Sequence, residues 1–130
     1  MKRKLGLSFV AMCLTTSVTA SLVFASIPPK QRSVFQNTWN NPYGVSDIIQ
    51  GRDTLGKIGV EHTYGGSYVD AYLWERCGAP TWHEINYLSN NITNDGPSTE
   101  TVHMNSSCEY KLTIEAGANN AGEGFIQNYN

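Results

Sequence analysis

Strict alternation near the C-terminal end is the clearest pattern in the chain. Cys108, Tyr110, Leu112, Ile114 and Ala116 alternate with Glu109, Lys111, Thr113 and Glu115. A period of two predicts a half-buried strand with a polar outer face. Lys57 to Arg76 holds two further β-compatible runs around Tyr64-Gly65-Gly66-Ser67, and Gly-Gly is a preferred two-residue hairpin turn. Turning at Gly65 and Gly66 would pair His62 with Val69, Val60 with Ala71 and Ile58 with Leu73 on one apolar face. The other face would pair Thr63 with Tyr68, Glu61 with Asp70, Gly59 with Tyr72 and Lys57 with Trp74.

Weaker patterns fill in the remainder. Trp82 to Leu88 and Thr99 to Met104 read as strands, Phe125 to Tyr129 as a closing strand, and Ile48-Ile49 as the start of a short one. Ser26 to Gln36 reads as an extended arm. Asn37 to Gly44, Gly51 to Gly56, Ser89 to Pro97 and Gly117 to Gly124 are rich in turn residues and read as loops. No window carries a helical period. Many short strands broken by turns predict an all-β fold, a small antiparallel β-sandwich.

The first residues change where this domain is expected to work. Lys2, Arg3 and Lys4 precede an uncharged run from Leu5, which ends in Val23-Phe24-Ala25. A positive start, an apolar run and a small-residue end form the signal-peptide pattern. The expected organisation is a signal peptide over 1–25 and one secreted domain over 26–130. Val18-Thr19-Ala20 offers a second cleavage site. Lipidation at Cys13 is disfavoured, because Met12 stands where a small residue is needed.

Cleavage would also alter charge and cysteine count. It would remove three basic residues and leave Lys30, Arg32, Arg52, Lys57, Arg76 and Lys111 against eleven carboxylates, a net charge of −5. Such an acidic chain is a poor match for nucleic acid or for simple adsorption to anionic membranes. No basic amphipathic helix points to stable membrane insertion after cleavage. Cys13 would leave too, so Cys77 and Cys108 are expected to pair as a disulfide in an oxidising compartment.

Few residues suggest chemistry. No GxSxG, P-loop or HExxH signature occurs, and no cofactor is implied. Glu61 and Asp70, as cross-strand neighbours, admit a calcium site or a solvated acidic pair. No dense Asp/Asn/Gly ligand loop accompanies them, so no metal site is assigned. His62 falls on the apolar face and reads as a hydrogen-bonded core residue. His83 and His103 lack the spacing of a zinc site. Asn91-Ile92-Thr93 and Asn105-Ser106-Ser107 match the glycosylation sequon, a coincidence expected in an Asn-rich chain.

Aromatic residues are the stronger signal. Tyr68, Tyr72 and Trp74 share one face of one strand, either exposed or buried as core by a second sheet, while Trp39 and Tyr43 sit in a turn-rich segment. Exposed rings in a row can stack on the apolar C–H faces of sugars. These five are the candidate ligand-binding residues.

Two resemblances add to this. Thr38-Trp39-Asn40-Asn41-Pro42-Tyr43-Gly44-Val45-Ser46 resembles the TWxxxYGVS opening of mature lactococcin-type bacteriocins. That resemblance covers this segment only. It implies a small secreted β-sandwich that interferes with cell-wall synthesis at the septum through lipid II. Arg52 to Trp74, with the tail from Leu112 to Asn130, is similar to an uncharacterised family of small secreted Gram-positive proteins. The expectation is a non-catalytic, bacteriocin-like effector that binds an envelope component or glycan through aromatic and Asn side chains. The alternatives are a carbohydrate-binding or surface-adhesion module, or a secreted enzyme inhibitor that presents a loop such as Ser89 to Pro97.

Overall fold

The computed structural model describes residues 26–130; the expected signal peptide lies outside the described residues. Among the described residues, nine strands form two antiparallel sheets: β1 Arg32–Gln36, β2 Tyr43–Val45, β3 Ile49–Gln50, β4 Thr54–Tyr64, β5 Tyr68–Arg76, β6 His83–Asn91, β7 Ser98–Met104, β8 Glu109–Ala116 and β9 Ala121–Gln127. The first sheet runs β1-β9-β4-β7. The second runs β2-β8-β5-β6, with β3 also on β8. The two pack face to face as a sandwich.

Both inner faces follow the period of two. Ile58 and Val60 of β4, Met104 of β7 and Ile126 of β9 face Val69, Ala71 and Leu73 of β5 and Tyr110, Leu112 and Ile114 of β8, all fully buried. The alternating strand is central: β8 pairs β5 on one side and β2 and β3 on the other. The edge formed by β2 and β3 is interrupted at Ser46. That residue's N–H donates to the Leu112 carbonyl and its Oγ accepts from the Leu112 N–H, each at 2.9 Å.

The expected hairpin does not form. β4 pairs β7 and β9, whereas β5 pairs β6 and β8. The Gly65-Gly66 turn therefore crosses between the sheets. The apolar rows of β4 and β5 face each other across the core, which buries both more fully than side-by-side pairing could. Gly65 has φ +102°, and a Cβ there would lie 2.3 Å from Asn120 Oδ1. The same Oδ1 accepts from the Ser67 N–H at 2.9 Å, so Asn120 shapes the crossing.

All seven pairings expected of the hairpin fall with it. Glu61 lies opposite Glu123 in the first sheet, while Asp70 lies between Glu115 and Ser89 in the second; the Glu61–Asp70 cation site is therefore dissolved. Lys57 partners Thr101 and Gln127, and Lys111 instead faces Trp74. His83 and His103 stand on different sheets, both exposed. His62 is hydrogen-bonded as expected, with Nε2 3.3 Å from Asn120 Oδ1, but it is half-buried and lies outside the core.

Several boundaries also move. The arm ends in β1, paired along β9 from Arg32–Gln127 to Gln36–Glu123. β4 begins inside the expected Gly51–Gly56 loop, and β9 inside the Gly117–Gly124 loop. β6 runs on to Asn91. In each case a cross-strand partner outweighs local Gly, Asn or Ser content.

The disulfide forms as expected, joining Cys77 and Cys108 with Cα atoms 4.2 Å apart. It ties the end of β5 to the start of β8. Beside it, buried Tyr110 donates to Glu75 Oε2 at 2.6 Å and accepts from the Asn105 N–H at 2.8 Å. Burial first, and the Glu75 bond second, push the Tyr110 hydroxyl far above its ordinary pKa.

Candidate functional site

The outer face of the second sheet is set by register. Residues of β5 that point away from the core are Tyr68, Asp70, Tyr72, Trp74 and Arg76. Across β8 they meet Glu115 beside Asp70, Thr113 beside Tyr72, Lys111 beside Trp74 and Glu109 beside Arg76. On the far side of β8, Tyr43 and Val45 of β2 lie next to Glu115 and Thr113. On the β6 side, Tyr87 lies next to Tyr72 and Glu84 next to Trp74. A bulge between Leu73 and Trp74 shifts the β6 pairing by one residue. Glu84 thereby reaches the outer row that Ile85 would otherwise occupy.

Tyr43, Tyr72 and Trp74 are brought together by this grid. They line an open hollow of about 310 Å3, with Thr113, Glu84 and Glu115 as its polar members. That volume is at the small end of ligand pockets, which run from roughly 300 to 1,000 Å3. The Trp74 indole N–H donates to Thr113 Oγ1 at 2.9 Å, fixing the ring. Tyr72 packs against Tyr87, with centroids 5.4 Å apart and planes tilted by 51°. Three strands thus hold the rings, and none depends on a mobile loop for its position.

Two candidates stand apart. Tyr68 lines an adjoining hollow with Asp70, Tyr72 and Glu115. Trp39 is 62% exposed in the Thr38–Asn41 turn and does not line the main hollow.

Charge on this face is polarised. At one end, Arg76 pairs with Glu109, its Nε donating to Oε2 at 2.8 Å. The Arg76 guanidinium and the Lys111 ammonium lie 4.6 and 4.5 Å from the centre of the Trp82 ring. At the other end, Asp70 and Glu115 are directly opposed in the ladder, a like-charge arrangement that is unfavourable by itself. Tyrosine hydroxyls relieve part of it. Tyr87 donates to Asp70 Oδ1 at 2.8 Å, and Tyr43 to Glu115 Oε1 at 3.3 Å. Burial, then the negative charges of Asp70 and Glu115, raise the Tyr72 pKa. The bond to Asp70 is the main cause raising that of Tyr87.

Tyr87, Glu84, Thr113, Glu115 and Trp82 belong to this face and were not candidates from the sequence. Tyr87 carried a usable signal, since Tyr87, Ser89 and Asn91 alternate with Leu88 and Asn90. Which strand it would neighbour was not readable. Asparagine, expected among the contact groups, instead does structural work at four positions. Asn37, Asn90, Asn120 and Asn128 are buried. Asn90 Oδ1 accepts the His62 N–H at 2.8 Å, bridging the sheets. Asn128 donates to the Gln50 carbonyl at 2.7 Å and accepts from the Gln31 N–H at 2.8 Å.

One cluster among the described residues has metal-like proximity, Glu75 with Cys77 and Cys108. Both of its sulfurs are committed to the disulfide, which leaves a single carboxylate as donor. Comparison of the chain with family models, with curated proteins and with solved structures returns no match.

Proposed function

We propose that this protein is a secreted, non-catalytic binding protein that engages a saccharide-bearing component of a bacterial cell envelope, as a bacteriocin-like effector. The observation that carries the reading is the hollow walled by Tyr43, Tyr72 and Trp74 on the outer face of the second sheet. Flat, immobilised rings beside carboxylates suit a sugar. The rings take its C–H faces and the oxygens accept from its hydroxyls. Rigid strands hold the rings before binding, which lowers the ordering cost.

Binding of the oxidised protein to a glycan array and to isolated envelopes tests the reading. The expected result is saccharide binding that Tyr72→Ala and Trp74→Ala each abolish while the fold is retained by circular dichroism. Growth inhibition of other bacteria by the intact protein, lost in the same variants, is expected of the effector role. Absence of both glycan and envelope binding overturns the proposal. Saccharide binding without inhibition leaves an adhesion module.

A further inference from the structure

The hollow's hydrogen-bonding complement narrows its ligand. Two of its donors are already engaged: the Trp74 indole N–H goes to Thr113, and the Tyr43 hydroxyl goes to Glu115. The rest of its lining includes the Tyr72 ring and hydroxyl and the carboxylates of Glu84 and Glu115. Asp70 adds a third carboxylate in the adjoining hollow, opposite Glu115. Among the described residues, no Lys or Arg lines either hollow. The nearest cations on the face, Arg76 and Lys111, are held over Trp82 instead.

Resting on the saccharide reading above, we infer that the Tyr43–Tyr72–Trp74 hollow is selective for a sugar bearing a free ammonium group, an amino sugar without its N-acyl group. The sugar ring stacks on the aromatic walls. Its ammonium sits toward Glu115, where it offsets the repulsion between Glu115 and Asp70 and meets the negative faces of Tyr43 and Tyr72. An N-acetyl group at the same position removes that charge and presents a carbonyl to a carboxylate, two acceptors facing each other. Burial is the main cause that raises the Tyr72 pKa, and the negative charges of Asp70 and Glu115 add to it in the sense the ammonium would meet.

Titration of the oxidised protein with a short β-1,4 glucosamine oligomer and with its fully N-acetylated counterpart tests this. A mildly acidic, low-salt buffer keeps the amines of the oligomer protonated and limits screening. Calorimetry gives the affinities, and shifts of aromatic NMR signals give the location. The free-amine oligomer is expected to bind about tenfold more tightly and to move the Tyr43, Tyr72 and Trp74 signals. Glu115→Gln is expected to erase that preference. Glu123→Gln makes the same charge change on the other sheet, where Glu123 accepts from Gln36, and is expected to keep it.

Equal binding of the two oligomers, preference for the acetylated one, or equal effects of the two substitutions overturns the inference and leaves the saccharide reading intact. Binding of neither oligomer while the array shows another sugar bound also overturns the inference alone. A blank array and no envelope binding remove both.

Discussion

The two outer faces of the sandwich use aromatic residues in opposite ways. On the first sheet, Phe125 lies over Gly59, where a Cβ would come within 2.2 Å of its ring. The Arg32 guanidinium covers Phe125 at 4.8 Å from the ring centre. A glycine beneath and a cation above leave that ring part of the packing. On the second sheet, Tyr43, Tyr72 and Trp74 stand around open space. Their neighbours include one another, Tyr87, Thr113, Lys111 and the carboxylates of Glu84 and Glu115. An aromatic on an outer strand face is therefore not in itself a binding feature; the size of the cross-strand neighbour decides whether the ring lies down or stands free.

Leu73→Ala should have the largest effect and should not distinguish the faces. Leu73 is fully buried between the sheets, and its truncation is expected to cost about 2–5 kcal/mol in urea unfolding. The Cys77→Ser/Cys108→Ser double variant comes next. The bridge closes a sequence separation of 31, and its loss is expected to cost about 3–4 kcal/mol in the chain-entropy model. Unchanged unfolding midpoints in either case would contradict the core and the staple described.

Gly59→Val separates the faces. Displacing the Phe125 ring is expected to cost about 1–3 kcal/mol, with ligand binding at the other sheet unchanged. Tyr72→Ala is expected to do the reverse, costing about 1 kcal/mol or less while removing saccharide binding. If Tyr72→Ala destabilises as much as Gly59→Val, the second face is packing like the first, and the comparison fails.

Alkaline titration sharpens the contrast between interior and surface phenols. Tyr110 has its pKa raised by burial, so the folded state holds that proton more tightly than the unfolded state does. Stability from this group is fully present below the ordinary tyrosine pKa of about 10 and declines as pH rises above it. Absorbance near the phenolate band is expected to show Tyr110 ionising together with unfolding. An early, reversible ionisation of Tyr110 would show that it is not buried as described.

Legibility followed the range of each interaction. Cys108 to Ala116 was readable because burial of alternate residues writes itself locally into the sequence. The shared face of Tyr68, Tyr72 and Trp74 came from the same period, and the cysteine pair from its count. The Gly65-Gly66 segment misled because a turn signal marks only where the chain bends. It does not say whether the two arms pair or enter different sheets. The role of the buried asparagines was likewise hidden. Asn37, Asn90, Asn120 and Asn128 look like loop residues until Gly122, His62, Ser67 and Gln31 are placed beside them.

The sequence by itself determined the all-β class, which residues of β5 and β8 share the apolar face, and that Tyr68, Tyr72 and Trp74 lie together on the other. Each of these follows from the two-residue period of an extended backbone. Only the tertiary structure decided that Tyr43 of β2 comes beside Tyr72 and Trp74 of β5, that Tyr87 packs against Tyr72, and that Asp70 opposes Glu115 rather than Glu61. Those neighbours come from strand order and register, which are fixed by closing the core between two sheets and by the β6 bulge. No local pattern records them, because the partners lie on strands that meet only once the sandwich has formed.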